Sequence, residues 1–149
     1  MRAVVQRVLR AEVRAGGDIV GSIQRGLLVF IGVALGDTEE DARWMAAKLG
    51  GLRIFEDGEG AMNRCLEEEG GSLLLVSQFT LLADARKGRR PSFSAAAQGP
   101  EARSLYELVC ELAAASGIPV ERGRFGADMK VELVNDGPVT ILLDSAKTF

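Results

Sequence analysis

Residues 77–81 read Ser-Gln-Phe-Thr-Leu and close the apolar run that begins at Ser72. Two hydroxyls and an amide therefore cluster where a strand is ending. Backbone N–H groups at such an end can form an oxyanion hole, with Thr80 or Ser77 beside the reacting carbon. The same residues also suit a plain strand whose polar side chains satisfy neighbouring backbone groups, with Phe79 in the core. A threonine hydroxyl is a poor nucleophile until a base takes its proton. The chain contains no histidine, which excludes Ser-His-Asp and Cys-His catalysis and any His-ligated metal. Cys65 and Cys110 stand apart without C-x-x-C spacing, so no metal site or disulfide framework is expected, and no cofactor is implied. Cys110 is expected in a core.

A second cluster, Asn135 to Thr140, reads Asn-Asp-Gly-Pro-Val-Thr. Asn and Asp tolerate left-handed backbone, Gly supplies positive φ and Pro fixes the entry to a strand, so the composition predicts a hairpin turn. Gly137-Pro138 is also a bond type that adopts the cis form at modest cost, and a glycine lets another molecule approach the backbone closely.

Charge gives a third feature. The net charge of −3 argues mildly against a nucleic-acid partner, yet Arg86-Lys87-Gly88-Arg89-Arg90 packs four cations into five residues just after the 77–81 segment. Arg2, Arg7, Arg10 and Arg14 recur along the first segment. These groups could face phosphates, although taken alone they suit a solvated turn and an ordinary polar strand face better.

The elements that must position these residues follow from hydrophobic periodicity. "RAVVQRVLRAEVR" predicts a strand with Val5 and Arg7 on one side and Val4, Gln6 and Val8 on the other, running into a turn at "AGGD". A short strand at 19–23 and a central one at 27–34, apolar on both faces, should follow. Asp37 and Glu40 resemble a capping box for a first helix over about 38–50. "LRIF" predicts a strand, 56–71 a turn-rich connection, and "SLLLVSQFTL" a second buried strand. Pro100 opens an amphipathic helix that Gly117 stops. Strands at 119–122, 129–134 and 139–143 close the chain, the last two separated by "NDGP".

The expected class is α/β in the broad sense, mixed α+β: a layered β-β-α arrangement with mixed and antiparallel sheets covered by two main helices. The 149 residues suit one domain, long enough to bury roughly 70% of the unfolded chain's surface. The apolar fraction of 47% beside 26% charged residues excludes a disordered chain. The apolar stretch 26–36 is about half of what a membrane-spanning helix needs, and no charged-then-apolar leader opens the chain, so a cytoplasmic protein with no membrane partner is expected.

"SQFTL" at 77–81, "NDGPVT" at 135–140 and "VQRV" at 5–8 closely resemble the D-aminoacyl-tRNA deacylases, also called D-tyrosyl-tRNA deacylases. "FIGVALGD", "NRCL", "LLVSQFTLLAD" and "RKGRRPSF" fit that family in order, so the resemblance runs nearly end to end. It implies a homodimer with active sites at the subunit interface, where a cis Gly137-Pro138 reaches into the partner's pocket. The carbonyls of that dipeptide would reject an L side chain and admit a D side chain or glycine. Arg7 matches the arginine that holds the partner's Gly-Pro turn, and Met129 matches a pocket-lining position. The segment Ser77, Gln78, Phe79 and Thr80 would bind the terminal adenosine and the ester through main-chain groups. The 2′-hydroxyl of the terminal ribose would assist attack, with Thr80 as direct nucleophile the alternative. The implied activity is ester hydrolysis of D-aminoacyl-tRNA, and of glycine mischarged on alanine tRNA, at the 3′ acceptor end. The alternatives are a sister deacylase for a small L-aminoacyl-tRNA and a non-catalytic dimeric RNA-binding module.

Overall fold

The structure, a computed structural model, describes residues 1–149. A long first strand, β1 (Arg2–Ala15), organises the sheet. Positive φ at Gly16 and Gly17 turns the chain into β2 (Asp18–Ile23), and β3 (Gly26–Gly32) continues along β1. β1 pairs antiparallel with β3 over residues 2–8 and with β2 over 11–15. Between these stretches its alternation slips: Val8 and Ala11 face the same core, because the register shifts there against its third partner.

α1 (Glu39–Gly51) and the small hairpin β4 (Phe55–Glu56) and β5 (Met62–Arg64) lead to β6 (Ser72–Ser77), which lies parallel to β3. α2 (Gly99–Ala115) then crosses over to β7 (Val120–Arg122), parallel to β6, as a parallel pair requires. The sheet order is β2-β1-β3-β6-β7, with β8 (Met129–Asp144) paired to β1. Leu27, Val29, Ile31, Leu73 and Leu75 point to the helices, where Met45, Leu49, Tyr106 and Val109 cover them. The alternate residues Leu28, Leu74 and Val76 form a second core on the opposite face with Val8, Ala11, Val13 and Ile23. This is the mixed α+β class the periodicity implies, and no helix is long and apolar enough to cross a membrane.

Four expectations change. The strand at "SLLLVSQFTL" ends at Ser77, and Phe79–Leu82 form a 3-10 turn. Strand β3 ends too: its last pair with β6 is Ile31 with Ser77, after which the Gln78 N–H donates to the Ile31 carbonyl at 2.7 Å. The turn then folds onto Gly32, where a Cβ would lie 2.8 Å from the Gln78 carbonyl oxygen, so only glycine permits the approach. "LRIF" yields strand only at its last residue. The helix α1 cap lies one residue later than Asp37 and Glu40 suggest: Thr38 is the cap and its N–H donates to Asp41 at 2.8 Å. Asp37 instead accepts the buried N-terminal ammonium of Met1 and the Ala34 N–H, each at 2.7 Å.

The largest change concerns "NDGP". Strands 129–134 and 139–143 are one element, β8, and both halves run antiparallel along β1. Gln6 faces Thr140 while Val8 faces Asn135, so the intervening residues leave the ladder as an excursion and rejoin it on the same side. No reversal occurs, because β1 is long enough to partner both halves.

Candidate active site

A cavity of about 500 Å³ opens where β3 and β6 end. Ile31, Val33, Val76 and Ser77 form its base, and Gln78 and Phe79 one wall. The start of α2 (Ala97 to Gly99, then Ala102 and Tyr106) and the segment Phe125–Met129 with Val131 supply the rest. The site thus lies outside the C-terminal ends of parallel strands, where crossovers leave a crevice.

Ser77, Gln78, Phe79 and Met129, all expected from sequence, are brought together on this cavity. Thr80 lies beside it without lining it, exposed in the 3-10 turn. Its hydroxyl oxygen accepts a bond from Gln78 Nε2 and is bonded to no base. An oxygen so engaged is poorer in electron density for attack. The first N–H groups of a 3-10 turn, here those of Phe79 and Thr80, have no partner inside the turn. Main-chain donors therefore stand at the cavity edge, and they can stabilise a developing oxyanion. The Phe79 ring is half exposed and not in the core; it meets Phe93 edge-on at 5.2 Å.

Tyr106, Phe125, Ala127 and Asp128 line the cavity without having been singled out in the sequence. Tyr106 was visible only as a helix residue. Its hydroxyl donates to the Leu75 carbonyl at 2.8 Å, and burial raises its pKa, so it forms the floor and takes no part as a base. Cys110 is fully buried, and its thiol is pushed up to about 11 by that burial, which leaves it unreactive.

Gly137 and Pro138 do not line the cavity of their own chain. They are exposed at the tip of the β8 excursion, joined by a cis peptide. Two braces hold this corner. The Asn135 amide bridges its base, donating to the Val139 carbonyl at 3.1 Å and accepting the Val139 N–H at 2.8 Å. Arg7, only 4% exposed, donates through Nε to the Asp136 carbonyl at 3.0 Å and through Nη1 to the Ile54 carbonyl at 2.7 Å. The Asp136 carboxylate lies 3.4 Å from Nε. Within the chain, Arg7 thus braces its own Gly-Pro corner, because the β1–β8 ladder sets the two side by side.

The family described as D-Tyr-tRNA(Tyr) deacylase matches residues 4–144. The D-aminoacyl-tRNA deacylase of Anaeromyxobacter dehalogenans is 61% identical over the whole of both chains, and that of Thermotoga petrophila 56% over the same span. The solved structure of a c-Myc DNA unwinding element binding protein superposes with a TM-score of 0.91 at 39% identity, covering 97% of this chain and 98% of that one. A probable eukaryotic D-amino acid tRNA deacylase shares the fold at 21% identity with a TM-score of 0.81, covering 95% of this chain and 97% of that one. A match of this extent, with both sequence clusters at the places the fold gives them, makes this chain a member of the D-Tyr-tRNA(Tyr) deacylase family.

Proposed function

We propose that the protein is a cytoplasmic, single-domain hydrolase that cleaves the ester of D-aminoacyl-tRNA, releasing free tRNA and the D-amino acid. Glycine mischarged on alanine tRNA is a second substrate. The observation that carries this reading is a mismatch of positions: the braced Gly137-Pro138 corner is exposed, outside its own chain's cavity, while that cavity has main-chain donors at its edge, no histidine, and one carboxylate, Asp128, which is paired with Lys130 at 3.0 Å. In a homodimer each corner enters the partner's cavity and completes it. Its carbonyls then exclude an L side chain and leave room for hydrogen or a D side chain.

Ser77 and Gln78 position the terminal adenosine and its ester, Met129 packs against the bound nucleoside, and the N–H groups of Phe79 and Thr80 face the carbonyl oxygen. Water adds to the ester carbon, assisted by the vicinal 2′-hydroxyl of the substrate. The tetrahedral intermediate then expels the 3′-oxygen of the ribose, which takes up a proton. An aminoacyl ester is already activated, so positioning and oxyanion stabilisation, the latter about 3 to 4 kcal/mol per well-placed donor, replace the missing histidine.

The test is to incubate the protein with D-Tyr-tRNA, L-Tyr-tRNA and Gly-tRNA and follow loss of the ester. Rapid loss confined to the D and glycyl esters is expected, and loss confined to a small L-aminoacyl ester would reassign the chain to a sister activity. No loss would favour a dimeric nucleic-acid-binding module, a second reading supported by the likeness to the c-Myc DNA unwinding element binding protein at 39% identity.

A further inference from the structure

The segment from Asp84 to Ser92 is the one strongly basic feature of an acidic chain, with four cations against one carboxylate. It is not a loose loop. Asp84 and Ser92 form an isolated antiparallel bridge with two backbone bonds of 2.8 and 2.9 Å, so residues 85–91 leave and return at one point. Arg86 is folded back on Asp84, with Nη2 at 2.6 Å and Nε at 2.9 Å from the carboxylate, and holds that carboxyl well below its usual range. The other three, Lys87, Arg89 and Arg90, are exposed and make no ion pair or side-chain hydrogen bond. Seven residues that go out and back can project at most about 12 Å from the Asp84–Ser92 bridge, at roughly 3.3 Å per residue. The base of the projection is tied to the cavity wall, because Phe93 packs against Phe79. Two further exposed cations flank the opposite wall: Arg103, stacked over the Phe125 ring at 5.2 Å, and Arg124.

We propose that the 85–91 projection is an RNA phosphate clamp, with Lys87, Arg89 and Arg90 contacting backbone phosphates of the acceptor end next to the nucleotide held in the cavity. The inference rests on the tRNA reading above and assigns a surface to it. The internal Asp84–Arg86 pair works in favour of the clamp, since it neutralises the only carboxylate of the segment and leaves the free cations pointing outward. An acidic protein as a whole repels RNA; a short cationic projection whose base is tied to the cavity wall through Phe93 and Phe79 confines attraction to the end that must enter.

The experiment compares the parent protein with the triple variant Lys87→Gln, Arg89→Gln, Arg90→Gln and with Lys48→Gln, a charge loss on α1. Binding of uncharged tRNA and hydrolysis of D-Tyr-tRNA are measured from 50 to 150 mM salt. Hydrolysis of D-tyrosyl-adenosine, an ester without phosphodiesters, is measured beside them. Each lost phosphate contact flattens the slope of log affinity on log salt by about 0.7 to 0.9, so the triple variant should lose about 2 to 3 units of slope. Across that threefold salt range this amounts to about tenfold less salt sensitivity. Lys48→Gln should not change the slope, and turnover of D-tyrosyl-adenosine should stay at the parent rate. An unchanged slope would overturn the clamp and leave the segment to solubility or to a protein partner. Equal loss on the adenosine ester would overturn it too, placing the effect in the Phe79–Phe93 contact. If the parent cleaves no ester, the hydrolase reading fails, whereas the slope for uncharged tRNA still decides the clamp.

Discussion

Replacing Arg7 probes the link between β1 and the exposed corner most directly. Its guanidinium is buried, and it donates to two main-chain carbonyls, Ile54 at 2.7 Å and Asp136 at 3.0 Å, with the Asp136 carboxylate at 3.4 Å. Each hydrogen bond from a charged donor is worth about 1.5 to 3 kcal/mol, and removing one member of a buried charged set typically costs about 3 to 5 kcal/mol in all, since the losses overlap. The Glu56 contact at 3.9 Å adds little, because that carboxylate is largely exposed. Arg7→Ala should therefore destabilise by about 4 kcal/mol and, at 2 to 4 °C per kcal/mol for a chain of this size, lower Tm by roughly 10 °C. Arg7→Lys keeps the charge but has one ammonium for two carbonyls facing different segments, so about half that loss is expected. Melting at fixed protein concentration and the ratio of kcat/KM for D-Tyr-tRNA over L-Tyr-tRNA are the assays. The lysine variant should fold and discriminate less well, since Asp136 is the residue that carries Gly137. An alanine variant that melts within about 2 °C of the parent would refute the packing argument. A destabilised lysine variant with undiminished discrimination would refute the bracing of the corner.

Thr80→Ala should keep kcat within about tenfold, because the hydroxyl is occupied by Gln78 and has no base; a fall of a thousandfold or more in an intact fold would restore the nucleophile. Gly137→Ala should lose D-aminoacyl-tRNA hydrolysis and stability together: φ is +138° and a Cβ would lie 2.7 Å from Val139 Cγ2 and 3.3 Å from Arg7 Nη2, to be checked by kcat/KM and melting. For Asp144, burial works to raise the pKa, but the Thr148 hydroxyl, the Ala146 N–H, the N-terminal ammonium and Arg2 outweigh it and leave the carboxyl below its usual value. A depressed folded-state pKa stabilises above the unfolded value near 3.9 and loses that contribution as pH falls through the folded one. Urea unfolding at pH 7 and pH 3 should thus show a smaller loss of stability on acidification for Asp144→Asn than for the parent.

Much of this architecture is written in local pattern. Buried strands such as Leu27–Ile31 and Leu73–Val76 are apolar on both faces, so their place in the middle of the sheet follows from periodicity alone. The same holds for α2, whose Pro100 and Gly117 mark both ends. The excursion at Asn135–Pro138 was not legible as such, because a hairpin and a bulge draw on the same residues: Asn for its amide, Gly for its φ, Pro for its rigidity. What decides between them is the length of the partner strand, a property of residues 2–15 and not of residues 135–140. The cavity was half legible for a related reason. Ser77, Gln78 and Phe79 are contiguous and chemically unusual for a strand end, while Tyr106, Phe125 and Asp128 reach the same space only through the crossover that returns α2 and β7 to the sheet.

A recognition element made of main chain must be held by something other than its own side chains. At the corner, both braces act on peptide groups: Asn135 imitates a strand neighbour by offering one donor and one acceptor to Val139, and Arg7 takes the Asp136 carbonyl from beneath. Neither brace acts on Gly137 or Pro138 directly, and both residues are exposed. Discrimination by collision needs this kind of support, since a corner that could yield by an ångström would admit the wrong enantiomer at little cost. The division of labour also accounts for the composition of the site. On the proposed reading, rejection depends on a rigid peptide, catalysis on amide donors and on the substrate's own hydroxyl, and no step calls for a side chain that titrates near neutrality. A chain without histidine then loses nothing in this reaction, and any change of rate between pH 6 and 8 should follow the substrate's α-amino group, so a pH series should lose that step when the amine is acetylated; a step that survives acetylation would put a titrating protein group in the mechanism.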